Sequence, residues 1–209
     1  MSRHARSERR ALADLLLEVG PEAPTLCEGW SASDLAAHLV VRERRPDAAA
    51  GILVKPLSGY TERVQNQVKH GRSWTELVAT VRSGPPLPLR IGPVDETVNT
   101  VEYFVHLEDV RRARPQWEPR VLDPDLERAL WSRLKLMARS LMRRSPVGVE
   151  LAAPGFGTLR AKAGEPHVRL TGAPGELLLF AFGRQGAARV EASGDPDLVA
   201  GLRDARLGL

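Results

Sequence analysis

The segment VEYFVHLEDVRRA, residues 101–113, decides how the chain is read. Glu102 and His106 stand four positions apart, so on a helix they project from the same face. Asn99 and Asp109 extend that face in a 3-4-3 spacing, while Val98, Val101, Tyr103 and Val105 cover the adjoining faces. The pattern predicts a helix over about Asp95–Arg114, ended by Pro115, that carries a buried polar stripe. A Glu and a His at this spacing are common on exposed helices. Two donors also do not chelate tightly, because a catalytic zinc usually takes three protein ligands and keeps one position open.

Among the other histidines, His38 is the one placed to complete such a set. His4 is close to the N-terminus, His70 closes a predicted helix and His167 follows a Pro turn. His38 lies mid-helix in SASDLAAHLVVRERRP, residues 31–46, flanked by Leu35 and Leu39 on the buried side. An unpaired imidazole there carries a desolvation penalty, which a metal at the bundle centre would remove. Ser31 and Asp34 have capping-box spacing, and Pro46 forbids continuation of this helix. Asp34 also precedes His38 by four, so it either orients the imidazole from the second shell or only completes the cap.

The flanking sequence continues the helical reading up to about residue 145. Leu12, Leu15, Leu16 and Val19 mark a first helix over about 7–19, stopped by Gly20-Pro21. YTERVQNQVKHG gives a helix ending at Gly71, and Ser73 with Glu76 opens another. PPLPLRIGP, residues 85–93, reads as a rigid loop. Asp123 as cap and Pro124 at the first helical position start a helix in which Leu126, Leu130, Leu134, Ala138 and Leu141 form the stripe of a bundle member. After Pro146 the pattern changes to short alternating strands, an apolar helix in PGELLLFAFGR, a strand in AARVEASG and a last helix capped by Asp195. The expected division is therefore a helical bundle over 1–145 and a small α+β unit over 146–209.

Composition narrows the possible functions. No apolar run in the 209 residues approaches a membrane span, and no signal-peptide cleavage pattern follows the amphipathic N-terminus, so a cytoplasmic protein is expected. Cys27 is the single cysteine, which excludes a disulfide framework and a multi-cysteine zinc site. The net charge is +4, with arginine clusters at 42–45, 111–114 and 139–144. These sit near predicted helix ends, where cations complement the helix dipole, and no nucleic-acid-binding motif accompanies them.

LCEGWSASDLAAHLVVRE and VEYFVHLEDVRRA resemble the two signature stretches of the mycothiol-dependent maleylpyruvate isomerase family, within the DinB-like metal-binding bundle superfamily of actinobacteria. The nearest likeness is to an uncharacterised metal-binding branch. TGAPGELLLFAFGRQGAARVEASGD resembles the small C-terminal domain, similar to sterol carrier protein type 2, of many members. The resemblance implies a mainly α protein: an up-and-down four-helix bundle followed by a small α+β domain. It implies His38, Glu102 and His106 as ligands of a divalent metal, zinc above all, with mycothiol as co-substrate. Asp34 and Asp109 fall in second-shell positions.

The activity implied is a mycothiol-using transferase or isomerase acting on a small electrophile through a metal-bound thiolate. Two other functions are compatible with the residues. One is a hydrolase using metal-activated water. The other is a non-catalytic metal- or ligand-binding protein, whose fourth ligand would be Asp109 or Cys27. Arg42, Arg111 and Arg184 are candidates for a substrate carboxylate, with Arg42 foremost because it lies one turn beyond His38. Solvated helix-end charges are the competing reading of all three.

Overall fold

In a computed structural model of the chain, residues 3–49, 51, 54–86 and 92–208 are described, with the side chains of 55 and 92–98 outside that description. The loop expected over 85–93 lies largely outside it, as does the side chain of Val98. Two compact units result, Met1–Glu118 and Pro119–Leu209.

The first unit is helical: α1 (Arg3–Val19), α2 (Ala32–Arg44), α3 (Pro46–Ala49), α4 (Ser58–His70), α5 (Trp74–Ser83) and α6 (Gly92–Arg112), with a 3-10 turn at Lys55–Leu57 before α4. Both capping boxes form. The Ser31 side chain accepts from the Asp34 amide while Asp34 accepts from the Ser31 amide, and Ser73 and Glu76 do the same at α5. Pro46 ends α2 and opens α3, since its fixed φ suits a first helical position. Helix α1 packs along α6 and beside α5, and α2 packs on α4 and α5. Leu12, Leu16, Leu35, Leu39, Leu77 and Tyr103 are fully or almost fully buried in the common core.

From Asn99 to Arg112, helix α6 is enclosed on nearly all sides. Tyr103, Phe104, Val105, Leu107 and Val110 are buried, and so are the polar Asn99, His106, Glu108, Asp109 and Arg112. Buried charges persist when paired. Arg112 Nε donates to Glu108 at 2.6 Å, and Arg9 donates to Glu43 at 2.5 Å over the Tyr103 ring. The loop before α2 is tied to this helix, with the Leu26 amide donating to the Asp109 carbonyl at 3.0 Å.

The second unit contains α7 (Pro124–Leu141), a four-stranded sheet, α8 (Pro174–Ala181) and α9 (Pro196–Arg203). The sheet order is β2 (Gly157–Lys162), β1 (Gly148–Ala153), β3 (His167–Thr171), β4 (Glu191–Ser193), with only the β1–β3 pair parallel. In β3, Val168 and Leu170 turn inward while His167 and Arg169 are exposed, the alternation of a half-buried strand. Leu177, Leu178, Leu179 and Phe180 of α8 have no exposure, as a helix apolar all round requires.

Packing places α7 differently from the sequence reading. Its stripe of Leu126, Leu130, Leu134, Ala138 and Leu141 is buried, and within this unit α7 packs on α8 and β2. The division by packing therefore falls at Glu118/Pro119, not near residue 145. A four-residue apolar repeat shows that a helix buries one face. It does not say whether another helix or a sheet covers that face.

Candidate metal centre

Helices α2 and α6 supply the site. Their burial fixes which way the polar stripe can turn, and α6 presents Glu102 and His106 one turn apart towards His38 of α2. The donor atoms of His38, Glu102 and His106 all lie within 4.8 Å of one another. Glu102 Oε1 is 3.5 Å from His38 Nε2 and 3.2 Å from His106 Nε2. The two imidazoles meet edge to face, with centroids 5.6 Å apart. Two nitrogens and one carboxylate oxygen converging in this way are a donor set that suits a divalent transition metal.

Both imidazoles are held from behind. His106 Nδ1 lies 2.9 Å from Asp109 Oδ2, which is wholly buried. A carboxylate at Nδ1 keeps a proton on that nitrogen, so Nε2, which faces His38 and Glu102, is the nitrogen available to an ion that displaces its proton. Trp30 tilts against the His38 ring at 5.0 Å between centroids, which limits its rotation. Asp34, by contrast, bonds Ser31 and Lys69, the latter at 2.7 Å. Of the two readings open for Asp34, the structure shows the cap, with a lysine ion pair added. No bond joins it to His38 among the described residues.

The charges of the cluster are strongly interdependent. Burial favours the neutral form of Glu102, but bonds from His106 and His38 and the Arg42 charge hold its carboxyl well below the ordinary range. Burial likewise opposes protonation of His106, yet Asp109, Cys27 and Glu102 push its pKa well above the usual imidazole value. Burial dominates at His38 and lowers its pKa. Neutral His38 beside ionised Glu102 is the protonation state that metal ligation uses, whereas His106 would have to release a proton on binding.

Arg42 is part of the cluster and not a solvated helix-end charge. Its Nη1 donates to Asn99 Oδ1 at 2.7 Å, and its Nε lies 3.3 Å from Glu102 Oε1. Sequence reasoning placed Asn99 on the polar stripe without a partner, and here it anchors this guanidinium. Arg111 is occupied by Glu108 and by the Glu118 carbonyl. Arg184 belongs to the second unit and donates to the Phe182 carbonyl. In the first two basic clusters several arginines are paired: Arg44 holds Ser83 and Gly84, Arg45 holds Asp47, and Arg114 holds Glu18.

Cys27 and Asp109 do not join the His38–Glu102 face. Cys27 Sγ lies 3.2 Å from Asp109 Oδ2, on the Nδ1 side of His106. The three candidate ligands therefore face no fourth protein donor among the described residues on the Nε2 side.

The fold has known counterparts. Over 91% of this chain and 90% of the other, it superposes on a crystal structure of the mycothiol-dependent maleylpyruvate isomerase with a TM-score of 0.54 at 18% sequence identity. A mutant form of that enzyme superposes with a TM-score of 0.53. The chain has a maleylpyruvate isomerase-like fold. No sequence-family profile and no curated protein matches it. Among the described residues no helix is long and apolar enough to cross a membrane.

Proposed function

We propose that this protein is a divalent-metal-dependent enzyme of the mycothiol-dependent maleylpyruvate isomerase family, using mycothiol to transform a small electrophile by transfer or isomerisation. The observation that carries this reading is the convergence of His38 Nε2, Glu102 Oε1 and His106 Nε2, with Asp109 behind His106. The likeness in fold to a mycothiol-dependent enzyme supports it. In the same reading the helical unit corresponds to a DinB-like bundle and the sheet-containing unit to a domain like sterol carrier protein type 2. The protein is cytoplasmic and zinc is the preferred ion.

The donor set fits such an ion: two imidazole nitrogens, of which His106 would give up its Nε2 proton on binding, one carboxylate and a buried acceptor at Nδ1. A divalent cation held there lowers the pKa of a coordinated thiol, which supplies the nucleophile. The chain itself orients and selects. Asp109 and Trp30 hold the imidazoles in place. Arg42, steadied by Asn99, stands beside the ligands, where its guanidinium can take a substrate carboxylate in bidentate fashion. Glu102 and Arg42 keep 21% and 19% of their side chains accessible, against 9% for His38 and 11% for His106. Access to the ligands is therefore from the Glu102–Arg42 side.

The test is calorimetric titration of the zinc-loaded protein with mycothiol, followed by thiol consumption with a panel of activated alkenes and epoxides. Saturable binding that disappears in His38→Ala, with thiol-dependent turnover, is expected. Absence of mycothiol binding would refute the thiol role, and turnover without thiol would point instead to a metal-dependent hydrolase.

A further inference from the structure

His106 has two nitrogens, and the function proposed above uses only one. On the Nδ1 side, Cys27 Sγ, His106 Nδ1 and Asp109 Oδ2 form a second convergent group, with all donor atoms within 4.8 Å. Asp109 Oδ2 sits at its centre, 3.2 Å from Cys27 Sγ and 2.9 Å from His106 Nδ1. The thiol is held in place by a built loop. Thr25 Oγ1 accepts from the Cys27 amide and donates to the Trp30 carbonyl, and the Leu26 amide is tied to the Asp109 carbonyl. Gly29, at φ +76, turns the chain within this loop.

From this geometry we infer that Cys27, His106 and Asp109 form a second cation site, selective for a thiophilic ion such as cadmium or cuprous copper. The donor chemistry distinguishes the two faces. The His38–Glu102 face offers nitrogen and oxygen, whereas the Cys27 face adds a sulfur, which favours soft cations. Binding requires the Cys27 thiol to release its proton to solvent. His106 likewise releases its Nδ1 proton to solvent and keeps the proton on Nε2, which donates to Glu102 Oε1 at 3.2 Å. An imidazole that keeps a proton ligates through one nitrogen at a time. The two faces are therefore alternatives, and a soft ion at Cys27 disables the His38 face by taking its shared ligand.

Cadmium alone is the probe, because thiolate ligation gives a charge-transfer band in the ultraviolet and Cys27 is the only cysteine. Titration of the full chain should give a saturable band that is absent in Cys27→Ser and kept in His38→Ala. Its midpoint should rise about tenfold or more in Asp109→Asn and in His106→Gln, each checked for wild-type circular dichroism. No band in the wild type would overturn the inference. So would unchanged midpoints in both Asp109→Asn and His106→Gln, which would leave a bare thiol. Loss of the band in His38→Ala would merge the two faces and would also overturn it. The inference does not depend on the proposed reaction, since every readout is on the Cys27 face.

Discussion

Replacing Arg42 by Met should tighten divalent-metal binding, although it removes a residue from the site. The Arg42 Nε lies 3.3 Å from Glu102 Oε1, with about one fifth of each side chain accessible. At that separation the Coulomb attraction is about 5 kcal/mol at an effective dielectric of ~20 and about 1 kcal/mol in bulk water. Partial exposure and the cost of desolvation reduce the net value to about 1.5 kcal/mol, typical of a hydrogen bond to a charged group. A cation that binds Glu102 must share its oxygen with this guanidinium and accept the repulsion of a like charge. Removing the guanidinium therefore favours the cation by about 1.4 kcal/mol, a tenfold gain in affinity. Met keeps most of the apolar stem that packs beside the site. Zinc affinity, measured by competition with a chromophoric chelator, is the assay. Equal or weaker binding in Arg42→Met would show that the arginine organises Glu102 and does not compete for it, and the reasoning would fail.

Three further outcomes follow from the geometry. Asp109→Asn removes the charge behind His106 and should weaken zinc binding about tenfold to a hundredfold in the same competition assay. Asp34→Asn should cost about 1 kcal/mol at neutral pH, because Asp34 both caps α2 and pairs with Lys69. Burial raises its pKa, but the Lys69 and Ser31 bonds outweigh that and hold the folded value below 3.8, so the stabilisation is present above 3.8 and is lost as the pH falls through the folded value. Urea titrations at neutral and acid pH should show the gap between the two proteins closing. Gly148→Ala places a methyl group against the Gly164 carbonyl, where β1 begins, and should destabilise the second unit by about 1–3 kcal/mol in thermal unfolding.

Much of the helical unit was legible because its signals are local. A Ser three residues before an acid, a Pro at a helix start and a Gly at a helix end act over one turn, and α2, α4, α5 and α7 begin or stop close to those marks. The polar stripe on α6 was legible too, since spacing alone puts Asn99, Glu102, His106 and Asp109 on one face. Partners across the fold were not. That Asp34 faces Lys69, that Arg42 reaches Asn99, and that Cys27 meets Asp109 all depend on how helices and loops pack, which no spacing encodes. The neighbours of α7 were not legible either, because a leucine stripe shows one buried face and not that α8 and β2 cover it. The place of Arg42 near the site was legible, and it stood foremost among the arginine candidates for that reason. It lies four residues beyond His38, so a ligand-bearing face of α2 necessarily carries it towards the site.

The proposed chemistry requires that His38, Glu102 and His106 hold a metal. Elemental analysis and zinc calorimetry on the wild type and on His38→Ala, Glu102→Gln and His106→Ala test that claim directly. The wild type should carry a single equivalent of divalent metal per chain, and each variant should lose most of it while keeping the wild-type circular dichroism. Equal metal content in all four proteins would contradict the site.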